Sequence, residues 1–188
     1  LLLLRSLFQH SENDTSAESP VAAPAAKATP PRTAILPSRD ACLTDIVYGY
    51  RVLANKLFNV TSRTARDEAL RELKNCHILM QSDLAQSIPP NVRSEQLRLL
   101  STSFYNPAGI LYNAASYIEA AVFLQLAVDC DDESMQLLQS NDDQQQFDDA
   151  LRKRQDAFNK KLEYTAVAYR FAGNKVEALH TYRRLLFS

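Results

Sequence analysis

Two segments of the chain repeat one pattern of helix, short turn and helix. The first runs from Phe104 to Val128 and the second from Leu162 to Leu186. Aligned on their turns, they match at one constant offset; the matched pairs are Ala108 and Ala166, Leu111 and Tyr169, Ser116 and Asn174, Glu119 and Glu177, Ala120 and Ala178, and Leu124 and Tyr182. Because a repeated hairpin cannot bury its apolar face alone, this pattern predicts hairpins that stack on one another.

The spacing resembles that of the tetratricopeptide repeat, a helix hairpin of about 34 residues with small and large residues at set positions. Small residues let the two helices approach closely, and large ones fill the gap to the next hairpin. Three features depart from this pattern: Pro107 lies where a helix former is usual, Leu185 replaces a small residue, and about 24 extra residues separate the units relative to the repeat length. A plain antiparallel helix hairpin with caps therefore stays open as the alternative.

Helical periodicity extends over most of the chain, from about Asp40 to Phe187. Only three of the 188 residues are glycine, and five of the eight prolines lie between Pro20 and Pro37, which leaves few turns for a β protein. The predicted helix boundaries are the N-caps Asp40, Thr64, Ser116 and Asn174, the double proline Pro89-Pro90, and Gly173 at a helix end. The sequence thus predicts an all-α stack of antiparallel helix hairpins, a tetratricopeptide-like α-solenoid without strands. Exposed apolar surface is expected at one or both ends of such a stack.

Composition divides the chain into three predicted parts. Residues 1–8 have the pattern of the cut end of a preceding helix, and residues 9–39 are rich in Ser, Pro and Ala, which predicts a disordered linker. Residues 40–188 form the predicted repeat region. Within it, residues 129–149 hold eight acidic residues and no Lys or Arg, which indicates an acidic insert in the form of a loop or a poorly packed extension.

The charge and cysteine content argue against several classes of function. A formal charge of −1 predicts no general attraction to nucleic acid or to a membrane surface. The basic residues Arg152 to Arg154, Lys160 and Lys161 could contact phosphates, but a solvated helix face that pairs with the acidic insert is the favoured interpretation. Three scattered cysteines without a CxxC motif predict no disulfide framework and a reducing compartment, here the cytoplasm and nucleus.

No catalytic, metal-binding or cofactor-binding constellation is predicted. The adjacent Cys76 and His77 point about 100° apart on a helix, so they cannot form a nucleophile and base pair. The sequence predicts a buried thiol beside a surface imidazole instead. His10 lies in the linker and His180 on an exposed helix face, so no two histidines have the spacing of metal ligands.

A longer stretch of the chain resembles the helical-repeat region of separase, the protease that cleaves cohesin at anaphase. The resemblance lies in LRLLSTSFYNPAGILYNAASYIEAAVFLQLAVD, an acidic insert, and KKLEYTAVAYRFAGNKVEALHTYRRLL; its matching positions are Leu100-Ser101, Tyr105-Asn106, Leu111-Tyr112, Ala120 to Leu124, and Leu162 to Tyr169. It implies a regulatory region that binds the inhibitor securin and supports the protease domain. That domain, a caspase-like cysteine endopeptidase in the family, is not in these residues.

The alternative is a general tetratricopeptide adaptor that binds a peptide partner. Its chaperone-binding version uses Lys and Asn at two positions of a leading helix, where this chain has Tyr105 and Gly109, so that version is disfavoured. In either case the predicted binding surface is the exposed face of the leading helix of each repeat. The predicted contact residues are Tyr105, Tyr112 and Asn113 in one unit and Lys160, Glu163, Arg170 and Phe171 in the other. The alternative interpretation places the aromatic residues in the core.

The predicted linker holds two candidate phosphorylation sites. Thr29 is followed by Pro30, Pro31 and Arg32, the order that cyclin-dependent kinases favour, and Ser19 is followed by Pro20. A phosphate adds a charge of about −1.5 to −2, which could bind the linker to a basic face. A proline-rich spacer with chance Ser-Pro and Thr-Pro pairs is the other interpretation.

Overall fold

A computed structural model describes residues 38–139 and 148–187. These residues form seven α-helices and no strand; they are α1 (Arg39–Phe58), α2 (Arg63–Gln81), α3 (Asp83–Gln86), α4 (Pro90–Asn113), α5 (Tyr117–Gln139), α6 (Asp148–Phe171) and α7 (Lys175–Phe187). The prediction of an all-α fold is confirmed for this part of the chain. Residues 1–8 and nearly all of the predicted linker lie outside the described residues. None of the described helices is both long and apolar enough to cross a lipid bilayer.

The N-terminal caps of the first two long helices lie two residues earlier than predicted. The backbone amide of Ala41 donates to Ser38 Oγ at 3.2 Å, and that of Ala65 donates to Ser62 Oγ at 3.1 Å. A serine hydroxyl in extended backbone reaches this amide well, so Asp40 and Thr64 lie inside the first turn instead. The cap predicted before α7 is correct, because Asn174 Oδ1 accepts from the backbone amide of Glu177 at 3.3 Å.

The double proline Pro89-Pro90 was expected to end one helix and start the next, and it does only the second. The double proline starts α4 at Pro90, as predicted. It does not end α2, which stops at Gln81, where Ser82 Oγ donates to the carbonyl of Leu79 at 2.6 Å. A single turn, α3, fills the interval.

The turns that join α4 to α5 and α6 to α7 have the same backbone geometry. Each contains one residue in the left-handed region, Ala115 with φ 59° in the first and Gly173 with φ 81° in the second. The amide of that residue and the amide after it bond back to the helix end; the four bonds are Ala115 N to Tyr112 O, Ser116 N to Leu111 O, Gly173 N to Arg170 O, and Asn174 N to Tyr169 O, at 2.9–3.1 Å. Such paired bonds satisfy carbonyls that a helix end leaves free.

Hydrogen bonds fix the relative direction of the helices. Ser94 bonds to Ser134 and Ser101 to Ala127, so the partner position falls as the position in α4 rises, and α4 and α5 are antiparallel. Arg154 bonds to Ser94 and Lys161 to Ser101, both 60 positions apart, so α4 and α6 run parallel. The two leading helices therefore point the same way, and α5 packs against both of them.

The apolar faces predicted from periodicity form the core. Buried side chains come from every long helix before α6; they are Leu43, Val47 and Ala54, then Leu73, Cys76 and Met80, then Leu97, Leu100, Phe104 and Leu111, then Ala120, Phe123 and Leu124. The Phe123 ring lies edge-on to Phe58 and Phe104, with centroids 5.9 and 6.3 Å away. A smaller cluster of Val128, Met135, Phe158 and Leu162 joins α5 to α6.

The expectation of a loop after residue 129 is wrong as far as Gln139, because α5 continues that far. Cations from distant helices offset its acidic residues. Arg184 lies 3.9 Å from Asp129 and 3.6 Å from Asp132, and Lys161 Nζ lies 2.5 Å from Asp131. A charge pattern read along the chain could not include these partners. Residues 140–147 of the acidic insert lie outside the described residues.

Candidate functional site

Four aromatic side chains of the two leading helices face one another. Tyr105 and Tyr112 are seven positions apart on α4, and Tyr164 and Phe171 are seven apart on α6, so each pair lies on one helix face. The ring centroids are 6.4 Å apart for Tyr105 and Tyr164, 6.2 Å for Tyr112 and Tyr164, and 6.5 Å for Tyr112 and Phe171. Because α4 and α6 are parallel, the rings interleave in sequence order.

A fifth ring from the start of α5 ends this row. Tyr117 is stacked on Phe171 with centroids 5.0 Å apart and lies edge-on to Tyr112 at 5.3 Å. The Arg170 guanidinium lies over the Phe171 ring, 5.1 Å from its centroid. We call Tyr105, Tyr164, Tyr112, Phe171 and Tyr117 the aromatic row. It is partly open to solvent, since Phe171 is 52% and Tyr164 38% exposed.

The aromatic row borders an open cavity of about 340 Å³ between α4 and α6. We call this cavity the aromatic groove; its lining includes Tyr105, Gly109, Tyr112, Asn113, Leu124 and Tyr164. Burial, followed by the nearby Tyr164, raises the pKa of the Tyr105 hydroxyl. This hydroxyl is therefore neutral near pH 7 and can both donate and accept a hydrogen bond.

An ion pair with little exposure to solvent joins α4, α5 and α6. Lys161 Nζ of α6 donates to Asp131 Oδ2 of α5 at 2.5 Å and to Ser101 Oγ of α4 at 2.8 Å. The same ammonium lies 5.6 Å from the centroid of the Tyr105 ring. Since Lys161 of α6 bonds to both α4 and α5, it constrains the distance between the helices that form the groove walls.

The structure places three of the seven predicted contact residues in the lining of the aromatic groove and two more at the end of the aromatic row. Tyr105, Tyr112 and Asn113 line the groove, and Arg170 and Phe171 lie at the end of the row. Lys160 and Glu163 are exposed on α6 and are not among the residues that line the cavity. The tyrosines of α4 are half-buried, so the groove and core interpretations both describe part of their surface.

Sequence reasoning missed two members of the aromatic row, Tyr117 and Tyr164. A signal for Tyr164 was present, because Tyr164 lies seven positions before Phe171, just as Tyr105 lies seven before Tyr112, and so shares a helix face with Phe171. Tyr117 carried no such signal, since it reaches Phe171 only through the turn that joins α4 to α5. The candidate phosphorylation sites Ser19 and Thr29 lie outside the described residues.

A second cavity, of about 200 Å³, lies on the other side of α4. Its lining includes Tyr48, Arg51 and Asn55 from α1 and Ser103 and Asn106 from α4. Arg51 Nε donates to Ser103 Oγ at 2.8 Å and thereby links the two helices. The exposed ridge of α4, which includes Asn106, Gly109 and Asn113, thus has a groove on each side.

The adjacent Cys76 and His77 do not form a catalytic pair. Burial raises the pKa of the Cys76 thiol to about 12, so the nucleophilic thiolate is disfavoured. The expectation of a surface imidazole is wrong: His77 is buried, and its Nε2 lies 3.0 Å from Glu133 Oε1. The helical continuation of α5 brings this carboxylate over α2. Within the described ranges, no cluster of three or more His, Cys, Asp or Glu side chains could hold a metal ion.

Two basic residues of α6, Arg154 and Lys161, have structural partners, whereas Arg152, Lys153 and Lys160 are exposed. Arg154 lies 3.6 Å from Glu95 of α4 and donates to Ser94 Oγ at 3.3 Å. Lys161 pairs with Asp131 of the acidic segment, as the sequence suggested for this group of cations.

Comparison of the chain with protein-family models, curated proteins and solved structures finds no match. The geometry of the aromatic groove is therefore the basis for a proposed function.

Proposed function

We propose that this chain is a helical-repeat scaffold that binds a protein partner in the aromatic groove. The observation that carries the proposal is the row of five aromatic rings, partly exposed, beside an open cavity between parallel helices. Tyrosine and similar rings provide much of the binding energy of protein interfaces, because they bury a large apolar area and lose few rotamers.

The tetratricopeptide-like arrangement is part of the proposal. Three observations support it: α4 and α5 are antiparallel, α4 and α6 are parallel, and the two turns have one backbone geometry. Stacked hairpins of this kind present their leading helices on one face. An extended ligand can bind along the groove between two such helices. The longer spacing between the units is the main departure from the repeat.

The resemblance to separase provides the more specific proposal. On that basis the chain belongs to the regulatory region of such a protease, acts in the cytoplasm and nucleus, and binds a securin-like inhibitor and the protease domain. An inhibitor that is disordered when free suits the groove, because it can bind in an extended form. The general alternative, an adaptor that binds another peptide, uses the same groove.

The proposal is tested by selecting ligands for the whole chain from a phage-displayed library of random 12-residue peptides. A selected peptide is then labelled with fluorescein, and its Kd is measured by fluorescence anisotropy. We expect Tyr164→Ala and Phe171→Ala each to weaken binding by about tenfold or more, as for an interface hot spot. Ile78→Ala, an exposed apolar residue on α2, is the matched control and should leave the Kd unchanged.

Circular dichroism of each variant separates loss of binding from loss of fold. The proposal is contradicted if no peptide is selected. It is also contradicted if the Kd of the selected peptides is unchanged by both Tyr164→Ala and Phe171→Ala. An array of overlapping securin peptides then separates the two versions. Binding of one such peptide, sensitive to Tyr164→Ala, favours the separase version, and selection of unrelated peptides only favours the general adaptor.

A further inference from the structure

Gly109 lies in the interior of α4 and is exposed. Glycine inside a helix is less stable than alanine, because its backbone loses more freedom on folding. A Cβ atom built on Gly109 would meet no other atom within 4 Å. The packing of the chain therefore gives no reason for a residue without a side chain at this position.

The position of Gly109 supplies another reason. It lines the aromatic groove together with Tyr105, four residues before it, and Tyr112, three residues after it. Asn106 and Asn113 lie one turn to either side on the exposed ridge, and both side chains are exposed. The helix backbone is thus bare at the centre of a surface that has rings on one side and amides above and below.

We infer that the main chain of a bound peptide runs along the exposed side of α4 and comes closest to this helix at Gly109, with Asn106 and Asn113 hydrogen-bonded to that main chain. This inference rests on the proposed function and names the class of ligand: a peptide segment in extended conformation. A glycine lets another backbone approach a helix more closely than any side chain would permit. Each asparagine amide can donate to a peptide carbonyl and accept from a peptide N–H.

The spacing of the two asparagines fits an extended ligand. They are seven positions apart, which is about 10 Å along a helix. An extended chain advances about 3.3 Å per residue, so the two amides match peptide groups about three residues apart. A helical ligand does not fit this arrangement, because its peptide groups are already bonded to one another.

Gly109→Ala and Gly49→Ala form a matched pair of test variants. Gly49 is also exposed, lies inside α1, and has nothing within 4 Å of a built Cβ. We expect both variants to raise the Tm by about 2 °C, since alanine favours the helix equally in both. With the selected peptide of the preceding section, Gly109→Ala should weaken binding by about tenfold or more, and Gly49→Ala should not change it.

A second measurement reports on the main-chain bonds directly. The selected peptide is synthesised with each backbone amide methylated in turn, which removes one donor at a time. We expect a loss of about fivefold to tenfold at one or two positions in the wild-type protein, and no further loss from the same methyl groups in Asn106→Ala/Asn113→Ala.

The results separate this inference from the proposed function. If Tyr164→Ala abolishes binding but Gly109→Ala binds like the wild type, this inference is overturned, and the proposal that a peptide binds in the aromatic groove is retained. The same holds if methylation has no effect at any position. If no peptide requires the aromatic row, both are overturned.

Discussion

The hairpins α4–α5 and α6–α7 have matched sequences and the same turn, yet one helix face has opposite environments in the two. Val128 of α5 is 0% exposed, whereas Leu186, its match in α7, is 79% exposed. Ala121 and its match Leu179 differ in the same way, at 1% and 54%. Since α6 covers this face of α5, the comparison shows that local sequence defines the turn and neighbouring helices define burial.

The uncovered face of α7 forms an apolar stripe within the described part of the chain. Val176, Leu179, Leu186 and Phe187 are all more than half exposed. This agrees with the expectation of exposed apolar surface at the end of a stack of hairpins. Substitutions in the two hairpins test how far each hairpin depends on the other.

Breaking the ion pair that joins the hairpins should have the largest effect. Lys161→Met leaves the buried carboxylate of Asp131 without its cation, so we expect a loss of about 3–5 kcal/mol in the free energy of unfolding. Urea unfolding measures it. Lys160→Met, which changes the adjacent exposed lysine, should cost within about 0.5 kcal/mol. Equal effects of the two variants would show that Lys161 does not hold the hairpins together.

Truncation of the matched apolar pair should separate covered from uncovered positions. Val128→Ala removes buried methyl groups from the contact with Phe158 and Leu162, and we expect a loss of about 1–3 kcal/mol. Leu186→Ala should change stability by less than about 0.5 kcal/mol, because its side chain already contacts water. A large loss from Leu186→Ala would mean that the α7 face is covered in solution, for example by self-association, which sedimentation velocity would detect.

Exchange of residues between the two turns should shift stability in opposite directions. Ala115 occupies left-handed backbone, so Ala115→Gly should stabilise the chain by up to about 1 kcal/mol. Gly173→Ala forces alanine into the same conformation and should destabilise it by about 1 kcal/mol. Thermal unfolding of both variants checks the signs. Changes of the same sign would contradict the equivalence of the two turns.

Glu133, in the acidic part of α5, should contribute a small dependence of stability on pH. Burial alone would raise the pKa of Glu133, but hydrogen bonds from His77 and Gln81 outweigh it and hold this pKa below its ordinary value. The stabilisation is therefore present above the unfolded pKa of about 4.3 and is lost as the pH falls through the folded value.

Glu133→Gln should make the loss of stability between neutral pH and about pH 3 less steep. Urea unfolding at several pH values measures this, with Glu163→Gln, an exposed carboxylate of α6, as the control. If Glu133→Gln loses as much stability as the wild type between neutral pH and about pH 3, the bonds from His77 and Gln81 add nothing to stability.

Features of the groove were predictable where they depend on spacing within a helix. Tyr105, Tyr112 and Phe171 could be placed on the leading helices because the repeated hairpin pattern and helical periodicity locate those helices. Tyr117 could not, because its contact with Phe171 depends on the turn between α4 and α5 and on the distance to α6. The cap positions were missed for a related reason: Ser38 and Asp40 are both good N-cap residues, and only the backbone conformation selects between them.

The helical structure of the described residues, their apolar faces and the turn shared by two hairpins could all be predicted from the amino-acid sequence. These properties follow from interactions between residues a few positions apart, and such residues are visible as periodicity and caps. Three other features could not be predicted: α5 continues through its acidic residues, His77 is buried against Glu133, and the rings of α4 and α6 interleave. Each of these depends on side chains about 30 to 60 positions apart in sequence, whose encounter is set by how whole helices pack.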